Sequence, residues 1–189
     1  MRVIAGQFRS RTLAAPSGLA TRPTSDRLRE TLFNILAPRI ESARFLDLYS
    51  GSGAVGIEAI SRGAVHVTFV EKARPALTAL RANLARLGIA GSFTLYTGAV
   101  TAFLREPAAT AGFDIIFLDP PYDHAAEYAA VLNLLGNAVS SFLAPGAVVI
   151  AEHRRKDSLD DAYGALTRTR LLQQGDASLS FYMPGTRDE

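Results

Sequence analysis

The sequence contains no cysteine. That absence excludes a disulfide framework, a thiolate metal site and a cysteine nucleophile, and with them zinc-finger and iron–sulfur chemistry. No stretch offers the roughly eighteen consecutive apolar residues that a membrane-spanning helix needs. The opening string MRVIAGQFRSRTLAAP alternates charge with short apolar pairs, so it lacks the unbroken apolar core of a signal peptide. A soluble, cytoplasmic protein is the expectation. His66, His124 and His153 share no ligand spacing, so core or surface histidines are expected and no metal.

What is present suffices for a packed fold. The 189 residues are 48% apolar and 20% charged, which argues for one ordered domain. A chain of this size buries about 70% of its unfolded surface. Charge is unevenly placed. Residues 1–44 hold Arg2, Arg9, Arg11, Arg22, Arg27, Arg29, Arg39 and Arg44 against Asp26, Glu30 and Glu41, while the whole chain carries only +2. The remainder is therefore mildly acidic. Arginine suits bidentate phosphate contacts and stacking, so the segment reads as a polyanion-facing arm or, more blandly, as a solvated face.

Beyond the arm, strand patterns alternate with helix-length segments. Strands are expected at Phe45–Ser50, His66–Glu71, Ser92–Thr97, Phe113–Leu118, Ala147–His153, Thr167–Gln173 and Ser178–Met183. Helices are expected at Ala54–Arg62, Pro75–Leu87, Val100–Arg105 and Ala125–Leu135. Such alternation implies an α/β fold with a mostly parallel sheet and helices on both faces. The first 44 residues read as a hairpin (Arg2–Ala5 with Arg11–Ala14) and a helix beginning near Thr24, an appendage and not a second domain. Ligands of such sheets sit beyond the carboxyl ends of the strands, so those ends hold the candidate residues.

The first strand end reads Asp47-Leu-Tyr-Ser-Gly51-Ser-Gly53-Ala-Val-Gly56, and Glu71 closes the next strand twenty residues after Gly51. Glycines permit a tight turn and close backbone approach to a ligand, and the acid can accept ribose hydroxyls. The spacing alone fits a nicotinamide or flavin dinucleotide as well as S-adenosylmethionine. Asp47 tips the choice: it is a poor neighbour for a pyrophosphate and a good one for the ammonium of a methionine moiety. A carboxylate that merely caps the loop is the alternative.

The second signal is Asp119-Pro120-Pro121-Tyr122, which ends the strand Phe113–Leu118. Two prolines remove two backbone donors and fix the turn, leaving carbonyls to face outward. An acid, a rigid carbonyl and an aromatic face together suit a planar base with an exocyclic amine. Asp119 and the Pro120 carbonyl can each accept one amine hydrogen while Tyr122 stacks on the ring. Holding both hydrogens localises the nitrogen lone pair and aims it at a methyl donor; alignment then does most of the work. A structural proline turn would leave the flanking Asp and Tyr unexplained.

DLYSGSGAVG, Glu71 and DPPY, in this order, resemble a class I S-adenosylmethionine-dependent amino-methyltransferase. The string RVIAGQFRSRTL…TRPTSDRLRETLFNIL is similar to the RsmD family, bacterial 16S ribosomal RNA (guanine-N2) methyltransferases. The likeness runs from Arg2 to the last strand. It implies a Rossmann-like class I methyltransferase fold with a seven-stranded sheet. It also implies a single domain over 1–189, with 1–44 as the arm and 45–189 as the catalytic core. By the resemblance, Thr24, Asp47, Tyr49, Gly51, Gly53 and Glu71 hold the cofactor S-adenosylmethionine, with Ala99 and Val100 beside its adenine. Asp119, Pro120, Pro121 and Tyr122 face the guanine amine. Arg2, Arg9, Arg11, Arg22 and Arg27 contact 16S ribosomal RNA in the small subunit. Many relatives of this fold place Asp or Asn where this chain has Gly98, so backbone groups near Ala99 would have to read the adenine. DPPY is shared with DNA adenine amino-methyltransferases, which remain an alternative. So do a nicotinamide-dependent oxidoreductase, which leaves DPPY without a role, and a non-catalytic RNA-binding protein. Arg154-Arg155-Lys156 is a solvated turn or a phosphate contact, Asp123 a cap for the following helix, and His124 lies nearest the site.

Overall fold

The computed structural model describes residues 1–16, 25–107, 112–121, 125–137 and 141–185. Thr24, Arg22, Tyr122, Asp123 and His124 lie outside the described residues. One sheet contains β1 (Arg44–Leu48), β2 (His66–Glu71), β3 (Phe93–Thr97), β4 (Phe113–Leu118), β5 (Leu143–Arg154), β6 (Ala162–Tyr163), β7 (Leu166–Gln174) and β8 (Ala177–Pro184). Their spatial order is β3-β2-β1-β4-β5-β8-β7-β6. The first five are mutually parallel, and the last three extend the sheet antiparallel. The helices are α1 (Asp26–Ile40), α2 (Ala54–Ser61), α3 (Arg74–Leu87), α4 (Val100–Phe103) and α5 (Ala125–Gly136).

Period-two alternation sorts the strand residues into two buried layers. Phe45 of β1, Ile115 and Phe117 of β4, and Val148 and Ile150 of β5 point to one face, where they meet α1, α2 and α3. Leu46 and Leu48, Ile116 and Leu118, and Val149 and Ala151 point to the other, against Val100 of α4 and Val131, Leu132 and Leu135 of α5. Burial on both faces explains why FDIIFL reads as an unbroken apolar run. No helix among the described residues is long and apolar enough to cross a membrane.

Three expectations need correction. The sheet has eight strands, not seven, because the two-residue β6 pairs Ala162 with Thr167 and Tyr163 with Leu166 at the outer edge. Strand β5 begins four residues early: Leu143 pairs with Phe113, and a register shift before Ile115 absorbs Pro145 and Gly146, whose φ is 73°. The expected N-terminal hairpin is reduced to one antiparallel bridge, Arg2 with Thr12. Val3 N donates to Arg11 O at 2.9 Å, Ser10 N to Val3 O at 2.9 Å and Leu13 N to Met1 O at 3.0 Å, while donors between them go elsewhere. Ile4 N and Ala5 N donate to Glu58 of α2 at 2.7 and 3.0 Å, and Phe8 N donates to Ser61 Oγ at 2.9 Å. Val3 and Leu13 are buried with α1 in the first core layer, so the arm is built into the fold.

Helix boundaries follow local chemistry. Ser25 caps α1 by accepting the Leu28 amide at 3.1 Å. Pro75 stands in the first turn of α3, and Gly88 closes the helix with φ 68°.

Candidate active site

The parallel register brings the ends of β1, β2 and β4 to one edge: Asp47 lies between Phe69 and Phe117, and Leu48 between Val70 and Leu118. Chain reversal there is abrupt. Tyr49 adopts φ 62°, an uncommon conformation for a non-glycine residue, and Gly51 follows at 55°. This is why the strand stops at Leu48 and not at Ser50. Gly56, in the first turn of α2, packs so closely that a Cβ there would sit 2.3 Å from the Phe69 ring and 2.9 Å from Asp47 Oδ2.

Asp47 is buried, and its Oδ2 accepts the Gly56 amide at 2.8 Å. The loop-capping role is thus one that it performs. Burial pushes its pKa up to about 7, opposed by the Gly56 hydrogen bond and helped by the Glu71 charge. Glu71 is held at three points: Oε2 accepts Gly51 N at 2.8 Å, and Oε1 accepts Lys72 N and Ala73 N, each at 2.8 Å. With about four acceptor positions on a carboxylate, this arrangement leaves room for one further donor, not the two hydroxyls expected.

Asp119 follows β4 and faces Glu152, since Leu118 pairs with Ala151 on β5. Burial, then the charges of Glu152 and Asp47, raise its pKa well above the usual carboxylate range. Pro120 is buried and Pro121 exposed. The Tyr49 hydroxyl is held in its neutral form by burial and by its hydrogen bond to Glu127, which raise its pKa.

These groups surround one cavity of about 260 Å³. Asp47, Tyr49, Gly51, Glu71, Ala99, Val100, Asp119 and Pro121 all line it. Gly53 and Pro120 do not. Gly53 caps α2 with φ 80°, and a Cβ there would collide with Leu80 at 2.3 Å. Sequence reasoning missed Met1, Ala15 and Pro16 of the arm and Glu127 of α5, all in the cavity wall. An acid in the first turn of the helix after DPPY was the available signal for Glu127; the arm residues offered none. Gly98 also lines the cavity, and an added Cβ would lie 2.7 Å from the Tyr96 ring. Tyr96 thus occupies the space that a larger side chain at Gly98 would need.

The donor set suits a cationic, hydroxyl-bearing ligand. Among the described residues the lining holds the acids Asp47, Glu71, Asp119 and Glu127 along with Lys72, and Glu127 Oε2 is buried without a hydrogen-bond partner. Among the described residues, no group of three acids, cysteines or histidines is placed to hold a metal ion. His153 is a core histidine with Nε2 2.9 Å from Ser180 Oγ, and burial lowers its pKa.

The arginines divide. Arg2, Arg9, Arg11 and Arg27 are exposed and lie outside the cavity wall. Arg29 is fully buried and donates to Arg2 O at 2.5 Å and Asp26 Oδ1 at 2.9 Å, so it leaves the polyanion-facing set. Arg39 Nη1 donates to Gly146 O at 2.8 Å.

A family model described as conserved hypothetical protein 95 matches residues 1–183. The chain belongs to that family. It is the RsmD family whose motifs the sequence carries. Among similar members, the Escherichia coli (strain K12) protein "Ribosomal RNA small subunit methyltransferase D" is 38% identical over 159 residues, 84% of this chain and 77% of that one. The Bacillus subtilis (strain 168) protein "Putative rRNA methyltransferase YlbH" is 36% identical over 183 residues, covering 96% and 98%. A solved structure, "Putative methyltransferase yhhF from Escherichia coli", superposes with a TM-score of 0.85 at 35% identity, covering 99% of each chain.

Proposed function

We propose that this family member is an S-adenosylmethionine-dependent methyltransferase acting on the exocyclic N2 amine of a guanine in 16S ribosomal RNA of the small subunit. The observation that carries the reading is the shared cavity: Asp119 and Pro121 open onto the same space as Asp47, Gly51 and Glu71. The relatives' names, "Ribosomal RNA small subunit methyltransferase D" and "Putative rRNA methyltransferase YlbH", support it. When bound, the cofactor supplies a methyl group on a cationic sulfonium.

The chain's own residues do the rest. Glu71 accepts a ribose hydroxyl, and Asp47 and Glu127 accept from the ammonium. Asp119 and the carbonyl of the Pro120–Pro121 peptide, reached at the cavity-lining Pro121, would each hold one hydrogen of the guanine amine and turn its lone pair toward the methyl carbon, while Tyr122 stacks on the base. Receipt of the methyl group would leave the guanine nitrogen cationic and acidic. Asp119 or water takes its proton, so no strong base is needed. Its raised pKa favours this role. Arg2, Arg9, Arg11 and Arg27 hold phosphates outside the cavity. No metal enters this chemistry, and the reaction belongs in the cytoplasm, where ribosomes are built. A dinucleotide fits less well, because Asp47 and Asp119 would repel its pyrophosphate.

The test is transfer of labelled methyl to small ribosomal subunits, with the modified nucleotide mapped by mass spectrometry. N2-methylguanine in 16S RNA is expected. Tight NADH binding without binding of adenosylhomocysteine would overturn the reading.

A further inference from the structure

The arm reaches the cavity through one buried side chain. Asn83, on α3, is 1% exposed. Its Oδ1 accepts Ala14 N at 2.8 Å, and its Nδ2 donates to Ala14 O at 3.1 Å and Ser52 O at 3.0 Å. The amide orientation is fixed, because reversal would set donor against donor and acceptor against acceptor. Ser52 belongs to the glycine loop and lines the cavity, as do Ala15 and Pro16 immediately beyond Ala14.

The other anchors of the arm bypass the loop. Glu58 and Ser61 hold Ile4, Ala5 and Phe8 on α2. Asn83 differs in holding the arm and the loop at once.

We propose that Asn83 is a positioning residue that couples the cofactor cavity to the RNA-binding arm. The coupling rests on the function proposed above: a ligand ordering Ser52 also orders Ala14 to Pro16, and so the arginine-bearing arm. Adenosylhomocysteine and ribosomal subunits then bind with positive cooperativity, which linkage makes reciprocal. Asparagine is required because the site needs two donors and an acceptor on a short stem. Aspartate would turn two bonds into carboxylate–carbonyl repulsions.

Two measurements test this. In the first, adenosylhomocysteine affinity is measured with and without saturating small ribosomal subunits. Wild-type affinity is expected to rise about fivefold or more, the lower range of allosteric couplings. In Asn83→Ala and Asn83→Asp the rise is expected to fall below about twofold on the same scale. Ser61→Ala, which loosens the arm without touching the loop, should weaken subunit binding and keep the rise. In the second, amide hydrogen exchange at Ala14 of the wild-type protein should slow on adding adenosylhomocysteine, a readout that needs no variant to fold. Ala14 exchange that ignores the ligand, or a rise that survives in both Asn83 variants, overturns the coupling alone. A wild-type protein that does not bind adenosylhomocysteine overturns the cofactor reading, and the coupling with it.

Discussion

Asp47 Oδ2 accepts the Gly56 amide at 2.8 Å, joining the end of β1 to the first turn of α2 inside the buried core. The bond needs the bare α-carbon of Gly56, because a Cβ would sit 2.9 Å from that same oxygen. Gly56→Ala is therefore expected to destabilise the protein by about 1–3 kcal/mol, the usual range for overpacking. Chemical denaturation measures it, and an unchanged midpoint would show that the helix can shift freely.

Asp47 also governs a pH response. Its pKa is about 7 in the folded chain against 3.8 for the free group, so the folded state binds the proton more tightly. The stability it contributes is present below the unfolded value and lost as pH rises through the folded one. Between about pH 4 and about pH 7 the ligand-free protein should lose stability, and Asp47→Asn should flatten that slope. Asp119, raised in the same direction, adds to it.

The same acids imply that a cationic ligand displaces protons. S-adenosylmethionine affinity should rise as pH passes through about 7, whereas adenosylhomocysteine, which lacks the sulfonium charge, should respond less. Calorimetry in buffers of different ionisation enthalpy counts the protons released. Equal release by both ligands would count against the acids sensing the sulfonium.

Asp119→Ala is expected to abolish methyl transfer while leaving cofactor affinity within roughly tenfold, since its role lies toward the substrate amine. Equilibrium binding and single-turnover transfer separate the two effects. Retained turnover would remove Asp119 from the reaction.

Arg9 and Arg11 are exposed on the arm. Replacing both with Ala should weaken binding to small subunits and lower the salt-dependence slope by roughly 0.7 for each phosphate no longer neutralised. A slope that does not move places the arm away from RNA.

Glu58 is buried and accepts from Ile4 N, Ala5 N and Arg62 Nε, with Arg29 Nε 4.0 Å away. Glu58→Ala leaves the Ile4 and Ala5 amides without their acceptor and Arg29 with Asp26 as its acid, so a loss of about 2–6 kcal/mol is expected, at about 1–3 for each orphaned donor. Thermal unfolding with and without residues 1–16 shows how much of it comes from the arm.

The residues alone determined the alternation of strands and helices, the positions of the glycine loop and the diproline corner, and the acid at the end of β2. Each of these is local: periodicity, turn chemistry and proline geometry act within a few residues. His66–Glu71 and Phe113–Leu118 are strands over those same residues. Tertiary structure decided what distant segments do for one another. Arg29 is a buried donor instead of a solvated cation because Arg2 O and Asp26 converge on it. The arm's hairpin stops at Val3 because Glu58, 54 residues from Ile4, takes the amides of Ile4 and Ala5. Met1, Ala15 and Pro16 join the cavity wall although nothing in their neighbourhoods announces it. Such contacts depend on how layers stack across the sheet, which no local pattern encodes.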